Sequence, residues 1–118
     1  MTIKRLFAAD LGASGGKCFA GVFDKKRFTL KEIHRFAHEG VSFYLPDRSG
    51  EVRERMYWDD IFIYRNIIDG LRAFRRDVAD KLDSIGIDTG GADGHFMNED
   101  GEMLGKIHCY RDHRLDNM

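Results

Sequence analysis

The chain has 118 residues, room for one domain with a limited core, and its 42% hydrophobic against 33% charged composition is that of a globular protein. A formal net charge of −1 gives it no general attraction to nucleic acid or to anionic membrane, and no apolar run approaches the roughly 20 residues of a spanning helix. Cys18 and Cys109 stand far apart, without CxxC spacing or a signal peptide, so reduced thiols in a cytoplasmic protein are expected.

In chain order, Ile3–Ala9 reads as a buried strand and Lys17–Phe23 as a second, returning after a glycine turn. Asp24-Lys25-Lys26-Arg27 is a polar turn and Thr29–Phe36 a third strand, so these three predict an antiparallel meander. Between His38 and Tyr57 the pattern is broken by Gly40, Pro46, Asp47, Ser49 and Gly50, leaving room for a small hairpin without requiring one. From Asp60 to about Leu82, Ile61, Tyr64, Ile67, Ile68, Leu71, Phe74, Val78 and Leu82 recur at helical spacing. Asp59 or Asp60 supplies the N-cap, and Arg65, Arg72, Arg75 and Arg76 fall mostly off the stripe, as on a solvated face.

Ser84–Thr89 follows as a fourth strand, expected to pair in parallel because a helix feeds it. Phe96–Glu99 and Met103–Ile107 read as a last hairpin about Glu99-Asp100-Gly101, and Tyr110–Met118 is polar and begins to look helical. A mixed sheet usually buries both faces, whereas this pattern supplies one covering helix. The expectation is a piece of a larger domain with exposed apolar surface, prone to self-association.

Two acidic, glycine-bearing turns carry the chemistry: Asp10-Leu-Gly-Ala-Ser-Gly-Gly-Lys17 and Gly86-Ile-Asp-Thr-Gly-Gly-Ala-Asp93. Each follows an apolar run, so each sets a carboxylate at a strand end beside backbone that phosphate oxygens can approach closely. The first suits phosphate. The second, with Asp88 and Asp93, suits a hydroxylated small molecule. Neither a Walker lysine loop nor a Rossmann fingerprint is present. His34 with His38, and His108 with His113, lack the further ligands of a metal site, and Trp58 reads as a packing anchor beside the helix cap.

These residues resemble the N-terminal part of the FGGY family of carbohydrate kinases, most closely its members acting on L-rhamnulose. The resemblance runs along nearly the whole chain, through Ala9–Lys17, Glu32-Ile-His-Arg-Phe36, Trp58-Asp59, Ser84–Thr89, Gly91-Ala-Asp93 and Tyr110-Arg-Asp112. It implies an α/β, ribonuclease-H-like fold of the actin, hexokinase and sugar-kinase type, with residues 1–118 forming a partial first domain built on a mixed sheet. It further implies an ATP- and Mg²⁺-dependent ketose kinase. Ala13, Ser14, Gly15, Gly16 and Lys17 would meet the ATP phosphates, Asp10 the Mg²⁺ directly or through water, and Gly91 and Asp93 the sugar. The partners are then the sugar and ATP, with neither nucleic acid nor membrane. The family's catalytic base is an aspartate much later in the chain, so the 118 residues alone are expected to be inactive.

Four positions depart from the family pattern. Gly15 stands for a serine and Lys17 for an arginine, which keeps the cation but loses its bidentate fork. Gly90 and Gly94 replace a tryptophan and another aromatic residue, which would loosen the sugar side. Other readings are a fuculose, xylulose or autoinducer kinase of the same family, or an actin-like module that binds nucleotide or sugar without turnover.

Overall fold

The computed structural model describes residues 3–90 and 93–109, and the chain divides into two compact units, Met1–His38 with Ile61–Gly90, and Glu39–Asp60 with Gly91–Met118. The first unit holds the predicted meander: β1 (Lys4–Leu11), β2 (Gly15–Asp24) and β3 (Arg27–Ala37) pair antiparallel in sequence, and β6 (Ser84–Thr89) adds in parallel to β1, in the order β3-β2-β1-β6. The expected parallel fourth strand is therefore present. A register shift at Cys18/Phe19 leaves Ile33 as an extra residue in β3, and it packs against the core.

Alternation along β1 and β2 sends Phe7, Ala9, Cys18 and Ala20 to one face, where they are buried with Phe74 of the helix α1 (Asp60–Asp77). How closely the helix lies on this face is visible at Gly70. A Cβ on that glycine would lie 2.6 Å from Cys18 Sγ, so α1 rests directly on the sheet. Phe7 and Phe74 then meet edge to face, centroids 6.5 Å apart and planes at 82°.

The helix departs from the expected stripe in two ways. It ends at Asp77 rather than near Leu82, because Phe74 O accepts from both Val78 N–H (2.8 Å) and Ala79 N–H (3.2 Å), closing the last turn. Val78, Ala79 and Leu82 still pack against the core from the following irregular segment. Its buried face is also rotated: Asn66, Gly70, Ala73 and Phe74 are buried, whereas Ile61 (78%) and Tyr64 (66%) are exposed. Asn66 is accommodated because its Oδ1 lies 3.0 Å from His34 Nε2 on β3 and its Nδ2 donates to Phe62 O at 3.0 Å. After the helix, Asp83 N–H donates to Arg5 O and Arg5 N–H donates to the Asp83 carboxylate, both at 2.8 Å, leading the chain into β6. The Arg5 N–H bond holds the Asp83 carboxyl below its ordinary value, against a smaller opposing effect of burial.

The second unit contains a hairpin, β4 (Gly40–Pro46) with β5 (Val52–Trp58), in the segment whose sequence did not demand one. Asp47 organises its turn, accepting from Ser49 N–H (2.8 Å), Glu51 N–H (3.1 Å), the Ser49 hydroxyl and Arg53 Nε (2.8 Å), while Gly50 takes φ +88°. Residues 107–109 run along β5, with Trp58 N–H donating to Ile107 O (2.8 Å) and Cys109 N–H to Met56 O (2.9 Å). The hairpin expected from Phe96 to Ile107 reduces to a turn closed by a single bridge, Met97 to Met103. There Asn98 Oδ1 accepts from Asp100 N–H and Glu102 N–H, alongside backbone bonds from Asn98 N–H to Glu102 O (2.9 Å) and Leu104 N–H to Phe96 O (3.1 Å). The helix expected from Tyr110 onward lies outside the described residues.

Candidate functional site

In the first unit, the register across four strands assembles a row that no single segment of sequence displays. Asp10 near the end of β1 is the partner of Lys17 on β2 and of Asp88 on β6, and Lys17 is in turn the partner of Arg35 on β3. Register partners share a face, and Asp10 alternates with Ala9, so the row lies opposite the face that α1 covers. All four residues are exposed. Among the described residues none of Asp10, Lys17 and Asp88 is engaged in an ion pair.

Two carboxylates on neighbouring strands, about 4.8 Å apart at the backbone, repel each other unless a cation stands between or beside them. Lys17 supplies one neighbouring positive charge, and the pair of hard oxygen donors suits a divalent ion such as Mg²⁺. Mg²⁺ commonly takes one or two carboxylates and completes its shell with water and phosphate oxygens. Among the described residues no group of three or more His, Cys, Asp or Glu gathers that could hold a metal unaided.

The turn beside Asp10 is shorter than its glycines suggest. Only residues 12–14 connect β1 to β2, with Gly12 N–H donating to Gly15 O at 2.8 Å and with Ala13 and Ser14 exposed at the tip. Gly15, Gly16 and Lys17 already belong to β2. None of these glycines has positive φ, so the left-handed freedom expected of them is not used. They are small because β3 is close: a Cβ on Gly15 would stand 2.7 Å from Phe36 O, and one on Gly16 would enter the Phe36 ring. The five expected phosphate contacts thus divide into an exposed tip, two glycines seated under Phe36, and a lysine facing Asp10.

His34 and His38 do not face each other as metal ligands. His34 bonds Asn66, and His38, only 5% exposed, has its Nε2 2.7 Å from Gly12 O. Nothing in the spacing of His38 marked it as a partner of the turn. In the second unit Asp93 is held by Trp58, whose Nε1–H donates to Oδ2 at 2.8 Å, so Trp58 does more than pack. Gly91, the other expected sugar contact, lies outside the described residues, as do His113 and Tyr110-Arg-Asp112. Cys18 and Cys109 are both free and buried, and burial pushes the Cys18 thiol up, as for an inert core cysteine.

No protein-family model matches the chain. Curated relatives match it throughout. A rhamnulokinase of Mannheimia succiniciproducens is 36% identical over 120 aligned positions, covering 100% of this chain and 23% of the relative. Rhamnulokinases of Bacteroides thetaiotaomicron (38% identical, 92% of this chain, 20% of the relative) and Pectobacterium atrosepticum (34%, 100% and 22%) match in the same way. The mixed α/β sheet therefore belongs to a chain homologous, along its length, to sugar kinases. The branch it matches is that of the rhamnulokinases, as the sequence resemblance led us to expect. The chain spans about a fifth of the length of these relatives.

Proposed function

We propose that these 118 residues form the N-terminal part of the first domain of an FGGY kinase with a ribonuclease-H-like fold. The full-length protein transfers the γ-phosphoryl group of ATP to a ketose resembling L-rhamnulose. The observation that carries this reading is the match to rhamnulokinases across the chain. The row about Asp10 is the arrangement such a reaction needs, since phosphoryl transfer depends on positioning and charge neutralisation more than on covalent chemistry.

In this reading Ala13 and Ser14 offer exposed backbone to the ATP phosphates, Gly15 and Gly16 keep β2 close enough to β3 to present it, and Lys17 adds the cation. Asp10, with Asp88 beside it, holds Mg²⁺ directly or through water. Bound Mg²⁺ neutralises charge on the phosphates. Asp93, oriented by Trp58, keeps its second oxygen for a sugar hydroxyl, and Gly91 contributes backbone to the same substrate. The base that takes the proton from that hydroxyl belongs to the remainder of the kinase, so the 118 residues alone do not turn over.

Among the described residues no helix is long and apolar enough to cross a membrane, and a cytoplasmic sugar kinase is the setting we assign. A coupled assay of the full-length protein with ATP, Mg²⁺ and L-rhamnulose tests the proposal. ADP release that depends on the ketose supports it, and release indifferent to any sugar rejects it.

A further inference from the structure

We propose that His38 is a positioning residue for the phosphate-facing turn, an assignment that rests on the kinase reading above. His38 follows β3 directly and touches both ends of the turn. Its backbone N–H donates to Ser14 O at 3.1 Å, and its Nε2–H donates to Gly12 O at 2.7 Å. The second bond fixes which ring nitrogen carries a proton, because a carbonyl can only accept. The side chain is 5% exposed and tilted against the Phe36 ring, centroids 6.1 Å apart. Its reach is therefore set by packing.

The consequence for the turn follows from the planarity of a trans peptide. With the Gly12 carbonyl drawn to the imidazole, the N–H of Ala13 on the same peptide points the opposite way, away from His38. Ala13 is exposed, so that N–H is presented as a donor in a fixed direction. His38 thus holds in place a backbone donor for a phosphate oxygen without touching the ligand itself. Prefixing a donor in this way lowers the ordering cost of binding.

The test compares His38→Phe, which fills similar space without the donor, with His38→Gln, which restores an N–H at similar reach, both in the full-length protein. Losing a prefixed donor should weaken ATP binding roughly 5- to 30-fold, about 1–2 kcal/mol. His38→Phe should raise KM for ATP by about that factor, leave KM for the ketose unchanged, and be largely corrected in His38→Gln. An unchanged KM for ATP, or equal rises for both substrates, overturns the assignment. If the unaltered protein transfers no phosphoryl group, the kinase reading fails separately. Hydrogen exchange at the Gly12 amide, bonded across the turn to Gly15, then decides the role of His38. Faster exchange in His38→Phe that Gln slows again supports the hold, and exchange equal to the unaltered protein overturns it.

Discussion

Asp10 and Asp88 are direct register partners on the parallel strands β1 and β6, exposed on the face that α1 leaves uncovered. Each closes a short apolar strand, and their placement side by side concentrates negative charge where Lys17 is the adjoining cation. If this pair serves Mg²⁺, Asp10→Asn in the full-length protein removes charge at the metal and leaves Gly91 and Asp93, the residues proposed for the sugar, unchanged. Turnover should fall by about 100-fold or more, with KM for the ketose within about threefold of normal. Steady-state kinetics with both substrates varied measures this. A near-normal kcat would remove Asp10 from the metal.

Gly15 and Gly16 give a prediction of a different kind, because their crowding comes from Phe36. Gly15→Val places a branched side chain against the Phe36 carbonyl, which belongs to the backbone and cannot swing aside. The substitution should cost about 1–3 kcal/mol of stability, visible as a lower Tm before any nucleotide is added. A variant with unaltered Tm and weakened ATP binding would instead assign the glycine to the ligand alone.

Gly70 and Cys18 should behave as a coupled pair. Gly70→Ala directs a methyl group at Cys18 Sγ, so the single change should destabilise by about 1–3 kcal/mol despite alanine's better helix propensity. Adding Cys18→Ala removes the sulfur and should recover part of that loss, giving a coupling of about 0.5 kcal/mol or more in a double-mutant cycle. Strict additivity would mean that α1 has room to move off the sheet.

Asp47 should titrate far below an ordinary carboxyl. The Ser49 hydroxyl bond is the largest cause, and the Ser49 and Glu51 amides and Arg53 add to it, together lowering its pKa to about 2 against the opposing effect of desolvation. A depressed folded-state pKa stabilises above the unfolded value of about 4 and loses that contribution as pH falls toward about 2. The β4–β5 turn should therefore loosen only in that acid window. NMR titration reads the value directly, and Ser49→Ala should raise it; an ordinary pKa in the unaltered chain contradicts the turn geometry.

Much of the first unit was legible because its signals are local. The apolar run Ile3–Ala9, the segment Lys17–Phe23 returning after the glycine turn, and the helix-fed run at Ser84–Thr89 each match one strand of the observed sheet. The helix face was not legible in detail, since Asn66 and Gly70 are buried for reasons that lie on β2 and β3: His34 bonds the first, and Cys18 crowds the second. The β4–β5 hairpin was obscured because Asp47, Ser49 and Arg53 form its turn through side-chain bonds that the loop residues Pro46 and Gly50 do not announce. At the site, Asp10 and the glycine turn stand out in sequence. The register with Asp88, the grip of His38 and the bond from Trp58 to Asp93 depend on contacts between segments 26 to 78 residues apart.

In the proposed kinase, Gly90 and Gly94 stand where the resembled family has aromatic residues, which would broaden sugar choice. A Cβ added to either meets nothing within 4 Å, so the backbone leaves room for the first carbon of a side chain. Gly90→Trp should leave the fold intact and narrow the range of ketoses accepted by the full-length enzyme, as a panel of deoxy-ketoses would register. Unchanged selectivity would place Gly90 outside the sugar pocket.

Phosphoryl transfer to the ketose is read by mixing full-length protein with ATP, Mg²⁺ and L-rhamnulose and following both ADP and the sugar phosphate. One sugar phosphate should form per ATP consumed, dependent on Mg²⁺ and suppressed in Asp10→Asn. ATP consumed without sugar phosphate, or no transfer to any ketose by correctly folded protein, would contradict it.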